Sequence, residues 1–494
     1  MLWQFCLFSL AVILLVTKWK NRKLRKLANQ LPSASFRKLP ILGHAASLWG
    51  DCENLMRCLE QLGRDSLAND GLISAWMINK LVIVVTDPDV AEVVMKVCLK
   101  KDDLNNVTRE LIGYGSIFAP VSIWRPRRKI LAPIFSPKTL NSFVQIFSKQ
   151  SHILLEKLEA DENNGDVSIF DKVTRYSMDS VCETTLGTEV KSQSQPQHPV
   201  PQSFALHCKL AALRMVRPWY HSDAIYKWSW DYPQFKSSAE VLKQFVRKII
   251  ISKRENFEKT NANKKITKVQ SLLDLLISSE DGKGFTDLEL QEESLVVVLA
   301  GTDTSSVGAS FAALLMAKHP EVQQKVYQEV ITVLEDRPVQ PEDLPKLKYL
   351  EAVVKETLRL YPPVPVVMKN PPKDVTLTPG VVLVPGSTAL VHIWALHRNT
   401  KYWSGDADTF RPERFLEDPP THPYVYIPFG RGPRMCLGAE YAMMSMKTVL
   451  ASLVRRYRLL PPTAGFGSQE ELPTRCEIMM KHVGNFQLQL QLRK

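Results

Sequence analysis

The chain has 494 residues, 45% hydrophobic and 23% charged, a make-up that supplies ample material for a core and excludes disorder over most of the length. Its net charge of +12 suggests a nucleic-acid partner, but eight of those charges fall in residues 1–38, which hold no acid, leaving +4 for the rest. No basic stripe is interleaved with aromatics, so nucleic-acid binding is excluded.

The chain opens with "MLWQFCLFSLAVILLVT", 17 mostly apolar residues, followed by "KWKNRKLRK" with six cations. As a helix the apolar run spans roughly 25 Å, and Lys18, Trp19 and Lys20 extend it at the interface of a thin bilayer. A cleaved signal carries its cations before the apolar run, and here the order is reversed. Residues 1–20 are therefore expected to form one membrane-spanning anchor in the endoplasmic reticulum, with the rest of the chain cytosolic. Residues 21–45, with Pro32 and Pro40, read as a stiff basic connector, and residues 46–494, without linker or repeat, as one large domain. The eight cysteines are scattered with no CxxC pair, which indicates neither a disulfide framework nor a zinc site and agrees with a reducing compartment. The Asn106-Val107-Thr108 sequon then stays unglycosylated.

The body reads as mainly α with small β-sheets (α+β). Residues 76–86 are β-rich around Asn79-Lys80 and predict a hairpin, after which Asp87-Pro88 opens a helix. Thr286 and Glu289 form a capping box, and the apolar pattern behind them runs to Lys318, a helix of about 32 residues and roughly 48 Å. Its centre is "LAGTDTSS", residues 299–306. A second membrane span is the rival reading, but consecutive polar side chains at the midpoint are costly in lipid. Within this segment Gly301 lets a ligand approach the backbone, Asp303 is an acid in apolar surroundings, and Thr304 can bond the carbonyl four residues back. A kinked structural helix and a functional site both stay open on this segment alone. Near the C-terminus "RCEIMMKHVGNFQLQLQL" alternates around Gly484-Asn485 and predicts a second hairpin.

The stretch "FGRGPRMCLG", residues 429–438, sets one cysteine in a loop of three glycines, two arginines and a proline. A thiol in a glycine-opened loop, an acid and an alcohol in a long helix, and an anchor together suggest a metal held by one sulfur over an oxygen-handling site. These residues resemble the cytochrome P450 family over the whole chain. Phe429, Gly432, Arg434, Cys436 and Gly438 fill the family's F-x-x-G-x-R-x-C-x-G loop, and "AGTDTS", residues 300–305, is similar to its oxygen-activation sequence. Glu356 and Arg359 resemble its E-x-x-R pair, completed by Arg414 of "FRPERF". Trp124 and Arg128 of "WRPRR" resemble its haem-propionate contact, with Pro126 confining them to a first helical turn. After "YPPVP", Lys369 stands where the family commonly has an arginine, keeping the charge without the bidentate fork.

The resemblance implies a cytochrome P450 fold with the long helix crossing under haem b, whose iron takes the Cys436 thiolate as axial ligand. It implies a haem pocket made with Trp124, Arg128, Ala300, Gly301, Lys369, Phe429, Arg434 and Gly438, and His397 as an alternative propionate partner. Thr304 would be the hydrogen-bond donor at the oxygen side and Asp303 the relay towards solvent, while Glu356, Arg359 and Arg414 would be structural. "RPWYHSD", residues 217–223, resembles the branch containing fatty-acid omega-hydroxylases, but Ala300 replaces a glutamate that can bond to haem there, so the haem is expected to be non-covalent. Implied partners are an NADPH-dependent flavoprotein reductase docking near Arg431, cytochrome b5 as an alternative donor, membrane lipid, and a small lipophilic substrate such as a fatty acid, hormone or xenobiotic. Residues 101–123 and 204–235 are expected pocket walls, and the aromatics of 217–235 a membrane-facing entrance. Two rival functions are a haem-thiolate isomerase or dehydratase acting without dioxygen, and a haem-binding carrier or sensor.

Overall fold

The structure, a computed structural model, describes residues 21–493 apart from 103–106, 161–164, 196, 262–270, 279–284, 404 and 467–470. The expected anchor, residues 1–20, and Asn106 of the sequon lie outside the described residues.

A single helix, Asp287–Lys318, organises the fold. Thr286 accepts from the Glu289 amide while the Glu289 side chain accepts from the Thr286 amide, so the capping box forms as the sequence predicts. The helix is buried along most of its length because helices Ile169–Val181, Tyr232–Asn261, Lys348–Leu360 and Ala439–Arg456 all pack on it. Among the described residues it is the one helix long and apolar enough to cross a membrane, and its burial identifies it as the core of the protein.

The described strands form four small sheets. In the largest, β1 (Leu72–Met77), β2 (Lys80–Val85), β3 (Lys100–Lys101), β5 (Val367–Asn370) and β8 (Ser387–Val391) lie in the order β1-β2-β8-β5-β3. The predicted first hairpin is β1–β2, but its turn is Ile78-Asn79, where Ile78 adopts φ +60° and its amide donates to the Leu42 carbonyl. Asp87 caps helix Pro88–Val97 as expected, accepting from the Val90 amide at 2.9 Å.

The second predicted hairpin is corrected. β10 (Thr474–Cys476) pairs with β11 (Met480–His482) through a turn at 477–479, whereas β12 (Gln487–Leu492) pairs with β4 (Val167–Ser168) and β9 (Tyr457–Leu460). Asn485 and Phe486 both take positive φ, and Phe486 is fully buried against Phe170 and Phe311. Burying that ring turns the chain out of the plane of β11, a step that alternation alone does not encode. A remaining sheet pairs β6 (Val375–Thr378) with β7 (Val381–Leu383).

Residues 21–45 are folded onto the body. In helix Arg22–Asn29, Leu24 and Leu27 share one face three positions apart and are buried in the cluster under the five-stranded sheet, while Ser33 bridges to Ser74 of β1.

Candidate active site

The loop around Cys436 is set by backbone angles that its glycines permit. Gly430 and Gly432 stand at φ +66° and +80°, and a Cβ on Gly432 would lie 3.1 Å from the Met95 carbonyl oxygen. The Cys436 amide donates to the Phe429 carbonyl at 2.9 Å, and Gly438 then caps helix Ala439–Arg456. A Cβ on Gly438 would meet nothing nearer than Phe135 at 4.0 Å, so no protein group fills the space beside it. Cys436 itself is open to solvent on one face although protein packs densely around its others. That crowding pushes the thiol's pKa up, while the Gly438 amide, Lys101 and Arg128 pull it down.

Four cations cluster on this side of the loop, of which Lys101 and Arg128 act directly on the sulfur. The Arg434 guanidinium donates to the carbonyls of Leu99, Ser116 and Ala119 at 3.2, 3.1 and 2.8 Å and lies 4.1 Å over the Trp124 ring. Arg128 donates to the Met435 carbonyl at 2.9 Å. In the sheet, the register sets Lys101 of β3 directly opposite Lys369 of β5, a like-charge pair that disfavours the ladder unless an anion lies between them. Burial, then Arg434, pulls Lys369 down to about 8. Burial, Lys369 and Arg434 pull Lys101 to about 7, and burial with Arg128 pulls Arg434 to about 10. Among the described residues no carboxylate is paired with any of the four. An anionic group bearing two carboxylates, such as a porphyrin with its propionates, fits this cluster, and the open thiol fits its metal.

The centre of the long helix supplies a third feature. Val297, Ala300, Gly301 and Thr304 are only half-buried, and their spacing of three, four and seven puts them on one face of an otherwise enclosed helix. The Thr304 hydroxyl donates to the Ala300 carbonyl at 2.6 Å, as the sequence suggests. A Cβ on Gly301 would also meet Val181 Cγ2 at 2.9 Å, so the glycine admits the adjoining helix Ile169–Val181. Asp303 is buried, and its carboxylate Oδ1 lies 3.3 Å from the Lys481 ammonium of β11.

Behind the loop, Arg359 forms a two-pronged bond with Glu356 at 2.7 and 2.8 Å, and Arg414 reaches the same carboxylate at 3.0 Å. All three are buried, with Arg359 also donating to the carbonyls of His397, Ala407 and Thr409. His397 has a structural place: its ring nitrogens bond the Arg359 carbonyl at 3.0 Å and the Ile427 amide at 2.9 Å, which joins the cluster to the ligand loop and uses both polar positions. Burial drives its pKa down to about 3, so the ring is neutral and carries no charge for a propionate. Helix Val121–Leu131 begins five residues ahead of Pro126, so the proline sits inside it and does not confine Trp124 and Arg128 to a first turn.

The expected wall at 101–123 is held by carboxylates of the long helix. The Tyr114 amide donates to Glu292 Oε1 at 2.9 Å and the Ser116 amide to Glu293 Oε1 at 3.0 Å, with the buried Arg127 between Glu289, Glu292 and Glu293. Sequence reasoning passed over Lys101, Arg127 and Lys481. The available signal was a cation at an otherwise apolar position, "MMKHV" for Lys481, but its partner is set by the tertiary fold. A groove of ≈ 690 Å³ lies against the start of the ligand loop, between Phe135, Leu140, Tyr426, Phe429 and Met443, and is lined by neither Cys436 nor the long helix.

Comparison with known proteins agrees with this geometry. Residues 35–489 match the family model described as Cytochrome P450. Cytochrome P450 4d2 of Drosophila melanogaster is 33% identical over 445 residues, covering 86% of this chain and 88% of the fly protein. Cytochrome P450 4ae1 of the same species is 34% identical over 74% of each chain, and Cytochrome P450 4V2 of Homo sapiens is 29% identical over 85% of this chain and 83% of its own.

Proposed function

The chain belongs to the cytochrome P450 family of haem-thiolate monooxygenases, and from that premise we propose that it is a membrane-bound enzyme inserting one oxygen atom from dioxygen into a lipophilic substrate. The observation that carries this reading is the set of four cations, Lys101, Arg128, Lys369 and Arg434, unpaired with any acid among the described residues and reaching the open Cys436 thiol through Lys101 and Arg128. Haem b held there supplies one-electron and dioxygen chemistry.

The protein's own part is to bind, charge-balance and deliver protons. Cys436 is the thiolate ligand, its charge moderated by the Gly438 amide. Lys101, Lys369, Arg128 and Arg434 would hold and neutralise the propionates, and for Arg434 and Arg128, which bond backbone carbonyls in this structure, a carboxylate would be the stronger, charge-assisted acceptor. On the long helix, the Thr304 hydroxyl, bonded to the Ala300 carbonyl, would be the hydrogen-bond donor on the oxygen side, and Asp303 would hold the proton to be passed towards it. Ala300 offers only a methyl group, consistent with non-covalent haem.

Substrates enter from the bilayer. Trp228 and Trp230 are 92% and 96% exposed, and Trp219, 42% exposed, packs edge-on to the exposed Trp49 at 5.5 Å. With the 1–20 anchor this orients the body on the endoplasmic reticulum membrane, facing the cytosol. Electrons come from an NADPH-dependent flavoprotein reductase, with cytochrome b5 as an alternative donor. The exposed Arg431, together with Arg125 and Lys129 on the helix that Arg128 ties to Met435, offers an acidic partner a cationic face around the ligand loop. Fatty acids are the first substrate class to test, because "RPWYHSD" resembles the omega-hydroxylase branch.

The full-length protein reconstituted with such a reductase should form hydroxylated or epoxidised product only with NADPH and dioxygen present. Thr304→Ala should keep haem and NADPH oxidation while product per NADPH falls and hydrogen peroxide rises. Turnover that needs neither NADPH nor dioxygen would replace this reading with the isomerase or dehydratase alternative.

A further inference from the structure

Lys481 has no part in the chemistry described so far, yet only a tenth of its side chain is exposed. It stands on β11, where its ammonium lies 3.3 Å from Asp303 Oδ1, 3.1 Å from Glu477 Oε2 and 4.8 Å over the Phe170 ring. Glu477 in turn accepts from Arg475 Nε at 3.0 Å. The four side chains alternate in sign, sum to zero charge, and lead from the centre of the long helix to Arg475, which is 26% exposed. Burial alone would lower the Lys481 pKa, but the Asp303 and Glu477 carboxylates outweigh it and raise the value, so the lysine stays charged.

A purely structural pin is the simpler reading, and two observations weigh against it. The β10–β11 hairpin is already anchored to the body by the Met480 amide on the Pro363 carbonyl at 2.8 Å and by the buried Cys476 and Met480, and it is closed at its open end by the Val483 amide on the Pro473 carbonyl at 3.0 Å. Asp303, in contrast, has Lys481 as its one hydrogen-bond or ion-pair partner among the described residues. Without Lys481 a buried carboxylate one residue before Thr304 would stand alone, a state costly enough to move the side chain or protonate it.

We propose that Lys481 is a positioning residue for the oxygen chemistry: it fixes the Asp303 carboxylate next to Thr304, while Glu477 and Arg475 balance its charge and connect the pair to solvent. The inference rests on the role proposed above for Asp303, and the test separates the two. Asp303→Asn, Lys481→Met, Lys481→Arg and the double variant Asp303→Asn/Lys481→Met are made in the full-length, haem-loaded protein with its reductase. Asp303→Asn should lower the ratio of product to hydrogen peroxide, Lys481→Met should lower it by up to about 100-fold, and Lys481→Arg should restore most of it. Melting temperature gives a readout independent of turnover. Lys481→Met, which strands the carboxylate, should lose more stability than the double variant, which removes both charges. An unchanged ratio in Asp303→Asn would defeat the assigned role of Asp303 and this inference with it. A lowered ratio in Asp303→Asn with none in Lys481→Met would overturn the inference alone, as would strictly additive melting losses.

Discussion

Lys369 shows how one residue's charge ties the stability of the fold to the group it is built to hold. Burial and the Arg434 guanidinium lower its pKa to about 8 from an ordinary 10.5. Below about pH 8 both folded and unfolded chains carry the proton and the penalty is fully present. Between about 8 and 10.5 the unfolded chain binds more protons, so stability rises with pH, by about 3 kcal/mol for this one group. Haem-free protein should therefore grow more resistant to denaturant from pH 8 to 10, Lys369→Met should lose most of that gain, and added haem should shrink it by placing carboxylates beside the ammonium. Equal slopes in the wild type and Lys369→Met would show that the lysine bears no such strain. The lysine was legible as a candidate because it follows "YPPVP", whereas its partner Lys101 was not, because only the register of β3 on β5 brings the two together. The Glu356, Arg359 and Arg414 cluster was legible only through the family resemblance, since Glu356 and Arg359 are one helical turn apart but Arg414 lies far along the chain in "FRPERF".

At the level of elements, patterns with a single local cause were readable and those needing a distant partner were not. The long helix announced itself through its capping box and apolar run, both of which act within the segment. The C-terminal alternation was also real, but β11 and β12 join different sheets because the buried Phe486 redirects the chain between them. The loop at 113–118 is a further case, held by Glu292 and Glu293 through backbone amides, with Arg127 as the cation among three carboxylates. Replacing it by Arg127→Met leaves those acids facing one another in a largely buried site, which should cost about 3 to 5 kcal/mol. Burial already raises the Glu293 pKa, so acidification should protonate that carboxylate and return part of the loss. Melting temperature at pH 7 and pH 5 tests both statements, and a variant as stable as the wild type at pH 7 would mean that the loop is held by its backbone contacts alone.

At the scale of the whole molecule, two exposed features bear on the proposed partners, one cationic and one aromatic. Around the ligand loop the exposed cations Arg125, Lys129 and Arg431 offer a surface for an acidic electron donor. Elsewhere, Trp49 joins Trp219, Ile41 and Leu42 run beside Ile78 at the β1–β2 turn, and Trp228 and Trp230 stand almost wholly out of the fold. Close to Trp228 and Trp230 in sequence, Tyr226 and Phe235 are buried with Leu210 and Ala211, and Arg214 pins the loop through the Tyr220 carbonyl and Asp223. The indoles are thus presented by a folded support, so ordering costs little when they enter an interface. If they meet lipid, this region must retain membrane affinity after the anchor is removed. A chain lacking residues 1–20 should still sediment with phospholipid vesicles, and Trp228→Ser/Trp230→Ser should release it. Each indole contributes about 2 kcal/mol of apolar burial, so each substitution should weaken partitioning by about 30-fold. Haem content and the carbon monoxide spectrum should stay unchanged, because neither tryptophan touches the ligand loop or the long helix in any contact described. Failure of the truncated chain to sediment even with both tryptophans present would assign this surface to a protein partner and leave the anchor as the sole hold on the membrane.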